Sequence, residues 1–359
     1  MSWRDRRILD LFGIEAPILQ APMANFSTPE MAIAVANAGG LGALACASLS
    51  PEQIRADIQT IRKAAAKPLN VNFFCHLQAP PDAEREANWR QFLARYYAEF
   101  GLAADIQVPS VARQPFDAAA CAVVEELKPE IVSFHFGLPA QGLLKRVRAT
   151  GAKILSSATT VAEARWLEDR GCDAVIAMGS EAGGHRGMFL TEDVTQQVGT
   201  FALVPQVADA VKIPVIAAGG IADARGVVAA LALGASAVQI GTAYLYSPEA
   251  KVSAPHRAAL ATITDDGTAL TNVFTGRPAR GIVNRLMREV GPMLGLAPAF
   301  PHAGGALAPL KARAEVNGSG AFSNMWAGQA ARLARSMPAG DFTRWLAREA
   351  LQQIARQHG

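Results

Sequence analysis

Two short glycine-containing turns carry the first chemical signal in this sequence. Gly219-Gly220 closes one apolar run, and Gly241-Thr242 closes the next one. Glycine lets the backbone approach a ligand closely, so exposed N–H groups at such turns bind phosphate, and the Thr242 hydroxyl adds a donor. The plainer alternative is that the glycines only make tight turns. We predict a phosphate site formed by both turns together.

A histidine in a glycine-rich segment carries the second signal. The segment SEAGGHRG occupies residues 180–187, and its two glycines make a pliable loop from which His185 can project. Imidazole titrates near neutral pH, so His185 is a candidate general base, with a structural role as the alternative. His135 also ends an apolar run. We expect it to line a substrate pocket or to hydrogen-bond to backbone.

Polar groups at the ends of two further runs suggest ring recognition. Asn70 and Asn72 flank Val71, so strand alternation points both amides to one face, where they could bind a heteroaromatic ring. The backbone N–H of Met23 follows another run and is expected to meet a ligand edge.

Several other catalytic motifs are absent from the sequence. There is no G-x-G-x-x-G helix start, Walker lysine, G-x-S-x-G or H-E-x-x-H. No His and carboxylate residues have metal-ligand spacing. The phosphate therefore belongs to a substrate or a mononucleotide cofactor, and the predicted chemistry needs no metal.

The elements that position these residues follow a regular alternation. Amphipathic segments of helical length, such as 28–38, 51–65, 160–170 and 223–233, separate short apolar runs without clean alternation, as in parallel strands covered on both faces. The eight runs are 17–22, 41–46, 69–75, 131–136, 152–157, 173–178, 214–219 and 236–241. Eight βα units predict an α/β fold of the TIM-barrel type, with a doubly wound open sheet as the alternative.

Two segments depart from the βα pattern. Residues 77–114 form a predicted insertion after the third strand, with a helix over 84–100. Residues 244–359 form a predicted helical extension, broken by Gly and Pro at 276–281 and 301–309. Both follow the carboxyl end of a strand, where barrel active sites are built, so we expect both to cover the site. Residues 1–243 would then form the barrel, and 244–359 would pack on it within one functional unit.

Composition excludes several classes of protein. The 359 residues are 50% hydrophobic and 18% charged, which is incompatible with a disordered chain. The net charge of +3 comes from scattered basic residues, so we expect no nucleic-acid partner. No apolar run has membrane-spanning length, and the charged start of the chain is unlike a signal peptide. The four cysteines form no C-x-x-C pair. We expect a cytoplasmic protein; its oligomeric state stays open.

A set of segments, taken in order, resembles the nitronate monooxygenase family, also called 2-nitropropane dioxygenase, in its class I branch. The wider group includes NAD(P)H:quinone reductases and flavin-dependent enoyl reductases. The segments VSFHFG (132–137) and WAGQ (326–329) favour the nitronate branch. The segments are PILQAPM (17–23), STPEMAIAVANAGGLG (27–42), NVNFFCH (70–76), VSFHFG (132–137), SEAGGHRG (180–187), PVIAAGGIADARG (214–226), QIGTAYL (239–245) and WAGQ (326–329).

This resemblance implies an FMN-containing TIM barrel. Its members use O2 to oxidise alkyl nitronates, such as propionate 3-nitronate, to a carbonyl compound and nitrite. It implies His185 as the catalytic base, while His135 remains a substrate-pocket candidate. The implied FMN contacts are Met23, Asn72, Met178, Gly183, Gly219, Gly220, Gln239, Ile240, Gly241 and Thr242.

This chain departs from the family pattern at two places. Met178 replaces the usual glutamine at the flavin, and its sulfur is only a weak acceptor. The stretches 107–114 and 302–311 contain no tyrosine, although class I members tend to carry tyrosines and a lysine in the pocket cover. The alternatives are an NAD(P)H-dependent quinone or enoyl reductase on the same barrel, a flavin-free phosphosugar isomerase or lyase, and an inactive flavin-binding protein.

Overall fold

The computed structural model describes residues 2–103, 106–107 and 113–357. Within these ranges the chain forms a sheet of eight parallel strands and a separate sheet of three short strands. In chain order the strands are β1 (Ile18–Gln20), β2 (Gly42–Ala45), β3 (Leu69–Phe74), β4 (Ile131–His135), β5 (Lys153–Ala158), β6 (Ala174–Met178), β7 (Gly184–His185), β8 (Val215–Ala218), β9 (Ala237–Ile240), β10 (Thr268–Thr271) and β11 (Ala279–Ile282).

The eight parallel strands close into a barrel. Their order is β1-β9-β8-β6-β5-β4-β3-β2, and hydrogen bonds on both sides of Leu41 join β1 to the start of β2. These strands are almost wholly buried because side chains fill the inside of the barrel and helices cover the outside. The predicted TIM barrel is confirmed: seven of its eight strands lie within the predicted apolar runs, and β5 extends one residue past the run 152–157.

Helices surround the barrel and also extend over one end. They are α1 (Arg7–Phe12), α2 (Pro29–Asn37), α3 (Pro51–Ala64), α4 (Ala83–Glu99), α5 (Ala118–Leu127), α6 (Gln141–Ala149), α7 (Val161–Asp169), α8 (Thr200–Ala210), α9 (Ala224–Ala232), α10 (Ala254–Thr262), α11 (Arg285–Val290), α12 (Ala303–Val316) and α13 (Ala339–Arg356). Local sequence sets their starts: Ser50 and Gln53 form a capping box at α3. No helix among these residues is both long and apolar enough to cross a membrane.

The insertion and most of the extension form a second layer, which we call the cap: α4 together with residues 254–333. Trp89 and Tyr96 of α4 share a buried apolar cluster with Met287, Leu310 and Phe322 of the extension. This cluster gives the cap its own core above the barrel mouth. The predicted helix over 84–100 agrees with α4 to within one residue at each end.

The prediction that the extension is helical is wrong for residues 268–282. This segment is a β-hairpin, in which β10 pairs antiparallel with β11, and β11 pairs with β7. The Gly/Pro-rich stretch expected to separate two helices is the hairpin turn, where Gly276 has a φ of 88°. The last helix, α13, packs against α2 and α9 on the outside of the barrel. It therefore completes the barrel's ring of helices and does not cover the site.

Candidate active site

One cavity of about 1270 Å³, including the open space at its mouth, lies at the carboxyl ends of the barrel strands. Its walls come from the turns after the strands and from the cap. The sequence-predicted residues that line it are Met23, Asn72, His135, Met178, Gly183, His185, Gly219, Gly220, Gln239, Gly241 and Thr242. The structure therefore brings together residues from six barrel turns that lie far apart in the chain.

The structure places Ile240 and the backbone N–H of Met23 differently from the prediction. Ile240 does not line the cavity: Gln239 points inward from β9, and alternation turns the next side chain into the buried layer under the helices. The backbone N–H of Met23 donates to Ser27 Oγ at 3.0 Å. It is therefore already engaged, although the Met23 side chain lines the cavity.

The glycine-rich edge of the cavity is made by backbone. Gly219 and Gly220 have φ values of 112° and 70°, which favour glycine. A Cβ atom at Gly219 would lie 3.0 Å from both Ala182 N and Thr200 Oγ1, so the turn is also closely packed. The hydroxyl oxygen of Thr242 accepts a hydrogen bond from Gly328 N at 2.9 Å, which joins this edge to the loop after the cap's Trp326.

The inner part of the cavity offers one unused acceptor. The Oε1 atom of Gln239 is buried and has no hydrogen-bond partner among the described residues. Leaving a buried acceptor unpaired is costly, so this atom indicates a ligand N–H group at that position. Asn72 is different, because its amide nitrogen already donates to Ser133 Oγ at 2.9 Å. Met178 lines the wall with an apolar side chain.

His185 lies across the cavity from the glycine turns, on the side whose walls come partly from the cap. It is held by β7, where it pairs with Ala279 of β11, and its Nε2 atom lies 2.9 Å from Thr275 Oγ1. Its ring is surrounded by aromatic rings, with centroids 5.3 Å away at Phe300 and 5.5 Å away at Trp326. Phe74 and Phe136 complete this enclosure. The structure shows no hydrogen bond from the second ring nitrogen, Nδ1, to another described residue, and His185 lines the cavity.

Burial and nearby cations keep His185 neutral. Burial lowers the pKa of His185 well below its usual range, and the positive charges of Arg113 and Arg277 lower that pKa further. Desolvation disfavours the charged imidazolium, and like charges add to this effect. The ring therefore has a free lone pair at neutral pH, as a proton acceptor requires.

His135 makes contacts that differ from those of His185. Its Nδ1 atom lies 3.0 Å from Ser157 Oγ, and its Nε2 atom lies 3.2 Å from the backbone carbonyl oxygen of His185. Burial lowers the pKa of His135 to about 3. Both nitrogens are engaged by protein, so this ring braces the backbone of His185 from within the cavity wall.

Arg113 and Lys311 lie in the two tyrosine-free stretches, 107–114 and 302–311, that the sequence singled out as pocket cover. Arg113 lines the cavity, and no carboxylate among the described residues pairs with this guanidinium. Residues 108–112, most of the stretch 107–114 predicted to cover the pocket, lie outside the described residues. In the stretch 302–311, which leads into α12, Lys311 donates to Asn324 Oδ1 at 3.1 Å, and Asn324 lines the cavity.

Sequence reasoning missed several residues of the site. Thr275 and Arg113 carry no local motif, and their role depends on how the cap folds back over the barrel. His76 is a buried structural neighbour of these residues, with its ring centroid 4.8 Å from that of Phe300. Only Trp326 had a usable signal, since it begins the WAGQ segment.

Comparison with known proteins gives a consistent family. A family model described as nitronate monooxygenase matches residues 5–349. A nitronate monooxygenase of Pseudomonas aeruginosa is 42% identical over 345 residues, which cover 96% of this chain and 98% of that protein.

Solved structures agree with the sequence comparison. The structure of a nitroalkane oxidase from Streptomyces ansochromogenes has a TM-score of 0.88 and 38% identity, covering 98% of this chain and 99% of that one. FabK from Thermotoga maritima has a TM-score of 0.77 and 31% identity, covering 100% and 99% of the two chains. The match of the family model along nearly the whole chain, and the relatives that share its length, show that this chain belongs to the nitronate monooxygenase family.

Proposed function

We propose that this enzyme binds FMN and uses O2 to oxidise alkyl nitronates to a carbonyl compound and nitrite. The observation that carries the proposal is that one cavity joins the glycine turns, the unpaired Gln239 acceptor and a neutral His185. Family membership supports oxidation of nitronates. The choice of cofactor and co-substrate rests on the residues and on the resemblance they carry.

The residues fit a flavin mononucleotide. The turns at Gly219-Gly220 and Gly241-Thr242 would hold a single phosphate against backbone N–H groups. The buried Oε1 of Gln239 would accept a hydrogen bond from a ring N–H. Met178 would offer an apolar wall and a weak sulfur acceptor. The sequence has no second phosphate motif of the dinucleotide type, which favours FMN over FAD. When bound, the flavin supplies the redox chemistry that these side chains lack.

The remaining residues act on the substrate. The charge of Arg113, which no carboxylate among the described residues pairs with, attracts an anionic nitronate into the cavity, where low polarity strengthens the attraction. The aromatic rings around His185 exclude water. When a neutral nitroalkane is offered, the neutral imidazole of His185 accepts the proton bound to carbon.

A visible spectrum of the purified protein, before and after anaerobic addition of ethylnitronate, tests the proposal most directly. We expect flavin bands that change on addition, and oxygen uptake with formation of nitrite in aerobic solution. Acid precipitation should release the flavin, and mass spectrometry of the supernatant should give FMN. Recovery of FAD would contradict the cofactor assignment.

Three results would favour the alternatives. A colourless protein without flavin would support an isomerase or lyase that uses the same phosphate turns. Rapid anaerobic reduction by NADH or NADPH, together with inactivity toward nitronates, would support a quinone or enoyl reductase. Flavin bands without either activity would indicate an inactive flavin-binding protein.

A further inference from the structure

The hydroxyl group of Thr275 links the His185 ring to the hairpin of the cap. Thr275 Oγ1 lies 2.9 Å from His185 Nε2 and 3.3 Å from the backbone carbonyl oxygen of Arg277. The backbone N–H of Arg277 points at the same hydroxyl oxygen, at 3.5 Å. Thr275 is buried, so its hydroxyl must meet its hydrogen-bonding needs from these groups.

The hydrogen-bonding capacity of the hydroxyl selects one arrangement. A threonine hydroxyl has one proton to donate and two lone pairs to accept with. When it donates to the Arg277 carbonyl, its lone pairs accept from the Arg277 N–H and from an Nε2–H of His185. All of these groups are then paired. When it donates to Nε2 instead, the Arg277 carbonyl loses this hydrogen bond.

We propose that Thr275 is a positioning residue that holds neutral His185 with its proton on Nε2, so that Nδ1 is the atom that accepts the substrate's proton. This inference rests on the proposed function of His185 as a base. Nε2 is engaged by Thr275, no hydrogen bond to another described residue occupies Nδ1, and His185 lines the cavity that would hold the substrate.

The proton transfer balances with this arrangement. The carbon–hydrogen bond next to the nitro group breaks, its electron pair stays on the substrate as the nitronate, and a new N–H bond forms at Nδ1. The resulting imidazolium donates through Nε2–H to Thr275 Oγ1, and the Thr275 hydroxyl keeps its own proton, which it donates to the Arg277 carbonyl. A ring protonated on Nδ1 has no lone pair at this atom and cannot take the proton there.

The hairpin fixes the position of Thr275 relative to His185. Pairing of Ala279 with His185 ties β11 to the strand that carries the base. A Cβ atom at Gly276 would lie 2.0 Å from Pro298 O, so the turn next to Thr275 is tightly packed. The part of the cap that covers the site therefore also orients its base.

Two substitutions at Thr275 test the inference. T275V keeps the shape of the side chain and removes the hydroxyl, and T275S keeps the hydroxyl. In T275V an Nε2–H would face a methyl group, so the ring protonated on Nδ1 becomes competitive. We expect kcat with neutral nitroethane to fall about tenfold in T275V, the size of one lost buried hydrogen bond, and to be restored in T275S. Turnover of ethylnitronate should be nearly unchanged in both.

Nitrogen NMR gives a readout that a merely structural role would not move. In holoprotein labelled with ¹⁵N-histidine, the His185 signals are assigned by their loss in His185→Asn. We expect wild type and T275S to show a protonated Nε2 and a bare Nδ1, and T275V to shift toward protonated Nδ1. Flavin content and circular dichroism report folding of each variant.

Two outcomes would overturn the inference. One is a wild-type spectrum with the proton on Nδ1, which decides the matter even if T275V does not fold. The other is a folded T275V that turns over neutral nitroethane as fast as wild type. Inactivity of the wild-type enzyme with nitronate would instead contradict the proposed function, and the NMR result would still decide the proton's position.

Discussion

The two sides of the cavity are built in opposite ways. The glycine side consists mainly of backbone at the ends of neighbouring strands, β8 and β9, to which the cap adds a hydrogen bond from Gly328 N to Thr242 Oγ1. The histidine side depends on side chains from several segments: His185 follows β6, and Thr275, 90 residues away, bonds to its ring from the cap. The barrel therefore provides most of the glycine side, where we expect phosphate to bind, whereas the cap completes the histidine side, where we expect proton transfer.

The sharpest test of this difference is removal of the base. A neutral nitroalkane must lose a proton bound to carbon, whereas a nitronate has already lost it. We therefore expect His185→Asn to lower kcat with neutral nitroethane by about 10²–10⁴-fold, the usual cost of losing a general base. The loss with ethylnitronate should be much smaller, and the flavin should stay bound because the glycine side is intact. Oxygen uptake is measured with each form at one pH where the two interconvert slowly.

His302→Asn is the matched control for this experiment. His302 bonds to Ala79 O at 3.1 Å and does not line the cavity, so both substrates should react normally. Equal impairment of nitroethane and ethylnitronate in His185→Asn would remove His185 from the role of base. His135 would then become the histidine to test.

On the glycine side, a bulky residue should remove the cofactor without removing the fold. Gly220 has a φ of 70°, and Gly318, near the end of α12, has a φ of 71° with open space around it. Leucine in this conformation costs about 1–2 kcal/mol of stability at either position. Only Gly220→Leu should also lose most of its flavin, because its side chain blocks approach to the backbone. Full flavin occupancy in folded Gly220→Leu would place the phosphate elsewhere.

Loss of the Arg113 charge at the cavity should have a smaller effect than the preceding substitutions, and it should be seen in the kinetics. In Arg113→Met the side chain keeps its length but loses its charge. We expect KM for an anionic nitronate to rise about tenfold, as for one charge pair in a partly polar environment, with kcat little changed. The control is Arg335→Met, since Arg335 stacks on Trp345 of the outer helix α13. A KM that is unchanged in Arg113→Met would show that this charge does not attract the substrate.

The architecture of the barrel could be predicted from the sequence because its signals are local. Each apolar run is short and bounded, and capping residues such as Ser50 mark the following helix. The hairpin of the cap could not be predicted in this way. Its strands have four residues each, and they are stable only because β11 pairs with β7, which is distant in sequence.

The same distinction applies to the site. The glycine turns can be recognised in the sequence because each lies directly after its own strand. His185 can be recognised because it lies in a glycine-rich segment. Thr275 and Arg113 are ordinary residues whose importance arises only when the cap folds over the barrel. Ile240 is the opposite case. It belongs to a recognisable motif and was predicted to contact the flavin, but strand alternation turns its side chain away from the cavity.

The buried histidines should also make the folded protein less stable in acid. Burial lowers the pKa of His256 to about 4, and His76, His135 and His185 have lowered pKa values as well. Between pH 6.5 and the lowered values, the unfolded chain binds protons that the folded chain does not. The free energy of unfolding should therefore be constant above about pH 6.5 with respect to these groups and fall as the pH drops below it.

His256→Gln should reduce this sensitivity by one histidine. The variant removes one titrating ring of the cap, so the slope of unfolding free energy against pH between 6.5 and 4 should decrease by up to about 1.4 kcal/mol per pH unit. The measurement is urea unfolding at half-unit pH intervals, with wild type and variant compared at constant salt. His302→Gln is the control for loss of a cap histidine that is only half-buried. Identical slopes for wild type and His256→Gln would mean that His256 titrates in the folded protein as it does in the unfolded chain.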